Sequence, residues 1–208
     1  MTNIHQFTAG LSIGDAITNE AITIRKELRS WGCRSDIFTD TARMSPGVSK
    51  FAGDARDYAG ECSREDVVLL HLSIGSPVND IFADLPCRKV ILYHNITPPD
   101  YFRTINPETA GMLEHGLRQM RRLAGTADIN LADSAFNARE LSEAGYKNVL
   151  VFPLFLDFDQ IISAPDKRTL KAFEDGAVNV LFVGRCAPNK RIEDILSAFA
   201  VFNKTVNP

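Results

Sequence analysis

The chain has 208 residues, enough for one large domain or for one domain with part of a second. Hydrophobic residues make up 45 % and charged residues 24 %, proportions that predict a packed globular core rather than a disordered chain. A net charge of −3 and an isoelectric point near 5.8 argue against general nucleic-acid binding, so no nucleic-acid partner is expected.

Four scattered cysteines (Cys33, Cys62, Cys87 and Cys186) form no CxxC and read as free thiols in a reducing cytosol rather than as disulfides or a zinc site. The opening MTNIHQFTAG lacks the basic and apolar regions of a signal peptide, and no apolar run is long enough to span a bilayer. The expected location is cytoplasmic, with room for peripheral contact at the inner face of the membrane.

NIHQFTAG reads as a first strand, and DAITNEAITIRKELRSWG as a helix with Ile17, Ala21, Ile24 and Leu28 on one face, Asp15 at its start and Gly32 as its stop. SDIFTD is a short second strand, and residues 41–64 read as loop with a brief helix. DVVLLHLSIG and KVILYHNI are apolar runs of the kind buried on both faces of a parallel sheet. Between them SPVNDIFADLP forms a short helix, with Pro77 early and Pro86 beyond it. A long helix over PETAGMLEHGLRQMRRLAG, a strand at DINLAD, a helix at SAFNARELSEAG capped by Ser134 and Gly145, and a strand at NVLVFP complete the alternation.

This alternation predicts an α/β Rossmann-like parallel sheet with helices on both faces and right-handed crossovers. Residues 1–153 form that domain and residues 154–176 a connection with one short helix. Residues 177–208 restart the rhythm with a strand at AVNVLFVGR and a helix bearing Ile192, Ile195, Leu196, Phe199 and Phe202. One strand cannot cover such a stripe, so this last stretch reads as the first unit of a second, truncated domain.

Ligands of open parallel sheets bind beyond the carboxyl ends of the strands. That edge carries Gly10 to Asp15, His71 to Ser76, His94 to Thr97, Asp133 with Ser134, and Arg185 to Lys190. Gly10 and Gly14 flank a turn into a helix whose free amides favour an anion, although GLSIGDA is neither GxGxxG nor a P-loop and the glycines equally serve to turn the chain. His71 suits a satisfied strand-end histidine and a substrate contact equally. His94, followed by Asn95 and the rigid Thr97-Pro98-Pro99, favours a functional role. No carboxylate or cysteine lies at ligand spacing from either histidine, so no metal is expected. Asp133 and Ser134 read chiefly as a helix cap. Arg118, Arg121 and Arg122 form a basic face near a helix C-terminus, best read as solvated and available to anionic lipid.

GRCAPNK is the most informative stretch. Gly184 permits a tight turn, Arg185 offers a planar fork and Lys190 a mobile charge, and the loop opens onto a helix N-terminus. Two cations and free amides around one loop suit a diphosphate.

VLFVGRCAPNKRIEDILSAF resembles the phosphate-binding loop of family-4 glycosyltransferases of the GT-B fold. SIGDAITNEAITIRKELRSWG, LLHLSIGS, LYHNITPPDYF and ADSAFNARELSEAG are similar, in order, to N-terminal segments of the same enzymes. In that family two Rossmann-like domains face each other across a nucleotide-diphosphate sugar. The resemblance implies sugar transfer to an acceptor hydroxyl with retention, in polysaccharide or glycoconjugate biosynthesis, with no cofactor or obligatory metal. It implies that Arg185 and Lys190 hold the donor diphosphate, that the loop of Gly14 and Asp15 lies against donor or acceptor, and that His94 approaches the transferred sugar. His71, Asn95 and Ser134 are further candidate substrate contacts. The acceptor is a sugar or a lipid-linked sugar.

The family's acidic motif belongs to a later C-terminal domain and has no counterpart here; Glu193 lies on the wrong helix. The chain is therefore expected to be inactive without the missing C-terminal domain. A sugar-nucleotide epimerase of similar plan and a non-catalytic GT-B-like binding subunit are the alternatives.

Overall fold

The computed structural model describes residues 2–158, 162, 164–174 and 176–206. The chain divides into two compact units, Met1–Asp157 and Phe158–Pro208.

In the first unit seven strands pair in parallel, in the order β3-β2-β1-β4-β5-β6-β7. They are β1 (Ile4–Thr8), β2 (Ile37–Thr39), β3 (Ala52–Asp54), β4 (Val67–Leu72), β5 (Arg88–Tyr93), β6 (Ile129–Ala132) and β7 (Val149–Val151). The helices between them are α1 (Ala16–Ser30), α2 (Ala55–Ala59), α3 (Pro77–Asp84), α4 (Pro107–Leu123) and α5 (Ala135–Glu143). The expected α/β Rossmann-like sheet is therefore present. β3 and α2 lie inside the 41–64 stretch read from sequence as loop with a brief helix.

Side chains alternate across each strand, and the two faces carry different helices. Phe7, Val68, Leu70, Leu72, Ile91 and Tyr93 pack with α2 to α5, through Tyr58, Phe82, Leu113, Met120 and Leu141. Phe7, Leu70, Phe82 and Ile91 are fully buried, each contributing about 1.5–3 kcal/mol of hydrophobic stabilisation. On the other face Ile24 and Leu28 of α1 pack on Leu69 and Leu92. The same alternation turns Gln6 and His71 toward α1, which is what later matters for the site.

Two close approaches fix the helices to the carboxyl edge. The loop after β4 runs against α4 backbone to backbone: Gly75 donates its N–H to the Met112 carbonyl at 3.1 Å. A Cβ on Gly75 would lie 2.4 Å from that oxygen and 2.7 Å from the Gly116 nitrogen. A buried amide completes the lock. The Gln119 side chain accepts from the Ser76 N–H at 3.0 Å and donates to the Ser76 carbonyl at 2.8 Å.

Residues 154–157, read from sequence as the start of a connection, belong to the first unit. The Phe155 N–H donates to Glu20 Oε1 at 2.9 Å, and Lys26 pairs with Asp157 at 3.3 Å. In the second unit α6 (Lys167–Ala172) and α7 (Ile192–Thr205) form, joined through a 3-10 turn at Pro188–Lys190. The strand expected at 177–185 does not form. Its apolar residues Val178, Val180, Leu181 and Val183 are exposed, and no neighbouring strand among the described residues is there to take its hydrogen bonds. The stripe on α7 is likewise exposed at Ile195, Leu196, Phe199 and Phe202.

Two predictions follow from this packing. Gly75→Ala should lower the urea midpoint by an amount equivalent to about 1–3 kcal/mol, because the obstructing atoms are backbone and cannot rotate away. The second concerns His5, buried on β1, whose Nδ1 accepts the Asp36 N–H at 3.1 Å. Burial lowers its pKa from 6.5 despite the nearby carboxylates of Asp36 and Asp66. Above pH 6.5 both states hold a neutral ring; below it the unfolded chain takes up the proton first, so stability falls with acidification. In urea unfolding between pH 7.5 and 5.5 (about one unit either side of neutral His behaviour), His5→Asn should lose less stability on acidification than the unaltered chain.

Candidate functional site

The carboxyl edge of β1 and β4 opens into a cleft of about 180 Å³ lined by Ala9, Gly10, Ser12, Asp15, Arg43 and Ser73, among others. Gly14, at φ +74°, turns the chain from β1 into α1. Asp15 is the N-cap of that helix: its Oδ2 accepts from the Thr18 N–H at 2.9 Å and from the Thr18 hydroxyl at 3.1 Å. It thus combines a capping role with a place on the cleft wall. Arg43 follows β2 and reaches under the β4 loop, donating to the Gly75 carbonyl at 3.3 Å and contacting the Met112 sulfur.

The same edge of the sheet carries a buried polar cluster. Gln6 from β1 donates its side-chain N–H to the Ala21 carbonyl at 3.0 Å, which leaves its Oε1 facing His71 Nε2 at 2.9 Å. The His71 Nε2–H therefore donates, and His71 Nδ1 presents a lone pair to His94 Nε2 at 3.0 Å. The two imidazoles are nearly parallel, with centroids 5.2 Å apart. Glu20 enters from α1, its Oε2 lying 3.6 Å from His94 Nε2. On the other side of the His94 ring, Nδ1 is 3.8 Å from Asp133 Oδ2.

Burial dominates the electrostatics. The His71 ring has no solvent contact, and desolvation, aided by the neighbouring His94, pushes its pKa well below 6.5. The Glu20 side chain is also fully enclosed; desolvation raises its carboxyl above 4.5 against the opposing Phe155 N–H and His94. At Asp133 burial acts upward too, but the nearby His94 ring and hydrogen bonds from Asn137 and Ser134 together bring the carboxyl below 3.8. Two atoms of the cluster, Glu20 Oε2 and His94 Nδ1, are buried without a hydrogen-bond partner among the described residues.

Sequence-predicted site residues divide accordingly. His71 and His94 come together, but the His94 side chain is only 3 % exposed and both its ring nitrogens face protein groups. Asn95 sits at φ +72°, a left-handed conformation, and donates to Asn137 Oδ1 at 2.9 Å and Glu140 Oε2 at 3.2 Å. Ser134 caps α5, accepting the Asn137 N–H at 3.2 Å. In the second unit Arg185 and Lys190 are both exposed, and neither forms an ion pair among the described residues. Glu193 and Asp194 occupy the first turn of α7, so that helix end already has acidic complements to its dipole.

Sequence reasoning missed Glu20 and Gln6. Glu20 lies beside Ile17, Ala21 and Ile24 on the buried stripe of α1, and a carboxylate on such a stripe is the signal that could have found it. The absence of a carboxylate at ligand spacing along the chain did not exclude one arriving through space. One donor atom each from Glu20, His71 and His94 lies within 4.8 Å of the others.

No family model matches this sequence, and no curated protein matches it. Among solved structures, an alpha-glucosyltransferase in complex with UDP aligns at a TM-score of 0.52 with 12 % identity over 77 % of this chain and 46 % of that one. An alpha-glucosyltransferase in complex with UDP and a 13-mer DNA containing a HMU base aligns at 0.48 with 15 % identity, over 76 % of this chain and 44 % of that one. The chain thus spans less than half the length of these neighbours. At 12 % identity the first of these likenesses shows the fold alone, an α/β Rossmann-like sheet shared with part of that structure. No helix among the described residues is long and apolar enough to cross a membrane.

The left-handed backbone at Asn95 makes a test of local strain. Asn95→Ala and Asn95→Gly lose the same two hydrogen bonds, but only alanine bears the penalty of that conformation, about 1–2 kcal/mol. Chemical denaturation should find the glycine variant the more stable of the two, by about 1 kcal/mol after its greater chain entropy is counted.

Proposed function

We propose that this chain is the acceptor-side part of a glycosyltransferase that moves a sugar from a nucleotide-diphosphate donor to an acceptor hydroxyl with retention, in polysaccharide or glycoconjugate synthesis. The observation that carries the reading is the carboxyl edge of the sheet, which carries both a polar cleft lined by Gly10, Asp15 and Arg43 and the cluster of Glu20, His71, His94 and Asp133. Parallel α/β sheets bind ligands at that edge, and the fold aligns with a UDP-bound alpha-glucosyltransferase.

In this reading Arg185 and Lys190 belong to the donor-binding part of the enzyme. Their charges neutralise the diphosphate as it leaves, so the donor phosphates need no metal. Gly14 and Asp15 border donor or acceptor. Asn95 and Ser134, at the ends of β5 and β6, border the transferred sugar. His94 is a positioning residue: its ring nitrogens are turned to His71 and Asp133, and it acts through the charge it sets beside the Asp133 carboxylate. The acceptor is a sugar or lipid-linked sugar, and Arg118 and Arg121 supply cations for an anionic membrane surface.

Arg185→Ala in the complete enzyme should weaken UDP binding, measured by calorimetry, by about tenfold to a hundredfold, the equivalent of one charge-assisted hydrogen-bonded contact. Unchanged affinity would remove the residue from the donor site. His94→Ala should lower kcat more than it lowers the unfolding free energy, with His94→Gln restoring part of the rate; equal losses would mark the ring as structural. Conversion of a nucleotide sugar without any acceptor would favour the epimerase reading instead.

A further inference from the structure

We propose that Glu20, His71 and His94 form a binding site for one first-row divalent transition-metal ion of the zinc type. The inference stands on the geometry of the first unit and goes beyond the transferase reading without depending on it.

Three elements supply the donors: α1 gives Glu20, the end of β4 gives His71, and the residue after β5 gives His94. Separations of 3.0 Å between the two imidazole nitrogens and 3.6 Å from the carboxylate to His94, with no pair beyond 4.8 Å, leave a point equidistant from all three at no more than about 2.4 Å. Zinc bonds to imidazole nitrogen and carboxylate oxygen run about 2.0–2.2 Å, so the separations need shifts of a few tenths of an ångström, and the two rings have to turn from their mutual hydrogen bond toward the ion. Two imidazoles with one carboxylate form a set favoured by zinc and its first-row neighbours over calcium or magnesium.

Two of the donors are hydrogen-bonded from behind, as metal ligands characteristically are, and the third faces a carboxylate. Gln6 fixes the His71 tautomer so that Nδ1 is bare, and Gln6 is itself held by the Ala21 carbonyl. Asp133 stands behind the far nitrogen of His94. The Phe155 N–H holds Glu20 Oε1, leaving Oε2 directed into the cluster, enclosed and without a hydrogen-bond donor. A proton shared by the two rings satisfies the imidazoles but still leaves Glu20 Oε2 bare. Among the described residues no lysine or arginine pairs with Glu20 or Asp133. A divalent cation answers both deficits: it coordinates the free oxygen and balances two enclosed or half-enclosed carboxylates.

The test uses the whole chain, freed of metal with a chelator and titrated calorimetrically with zinc chloride and, in parallel, cobalt chloride. One ion should bind per chain with a dissociation constant of about 1 μM or tighter. The cobalt form should absorb in the visible region without a thiolate charge-transfer band, which separates this site from one built on the neighbouring Cys62 and Cys87 thiols. Glu20→Gln, close in volume, should weaken binding at least tenfold. Asp133→Asn, nearer the surface and acting only through His94, should weaken it by about tenfold to a hundredfold. Circular dichroism checks that each variant is folded, and if Glu20→Gln is not, Asp133→Asn decides. Absence of one-to-one binding, a thiolate band, or affinity unchanged in the folded variants would overturn the site. None of these readouts involves sugar transfer, so failure here leaves the transferase reading standing, and failure of that reading leaves this one.

Discussion

Parallel pairing sends the carboxyl end of every strand to one edge of the sheet, and this constraint shapes the rest of the molecule. The interior strands β4 and β5 are covered by α2 to α5 on one face and in part by α1 on the other, so a polar group enclosed there has to find its partner inside the protein. Leucine, valine and isoleucine satisfy that demand along most of their length. At the edge the demand changes: His71 closes β4, His94 follows β5 and Asp133 follows β6, and the three meet because the strands are neighbours. The chemistry of the site is therefore a product of strand order as much as of residue type.

Helix α1 supplies what the sheet cannot. Its Ile24 and Leu28 cover Leu69 and Leu92, and its register then brings Glu20 over the strand ends. An enclosed carboxylate is costly unless it is paired and hydrogen-bonded. Glu20 has a single hydrogen bond among the described residues, from Phe155, and a long approach to His94. Replacing it with an apolar residue would spare that cost, so packing alone does not account for its presence.

Much of this was legible in the residues alone, and the limits have physical causes. β4 and β5 are continuous apolar runs, and Asp15, Ser76 and Ser134 are short polar residues ahead of helices, where capping requires them. β3 is three residues, Ala-Gly-Asp, with no strand-forming side chain; it exists because β2 offers an edge and the Phe38 ring covers Gly53, 3.2 Å from where a Cβ would stand. The stretch from Val178 to Val183 has the opposite character, a strand-like pattern with nothing to pair with, since strand formation is decided by distant backbone. The ends of the strands mark His71 and His94 directly. Gln6 and Glu20 join them only through the fold, Gln6 by pleat alternation and Glu20 by helix register.

The Phe155 amide that holds Glu20 also marks where the chain leaves the sheet. The segment that follows the last strand is therefore part of the cluster's scaffold: without that amide the carboxylate would keep no hydrogen bond among the described residues.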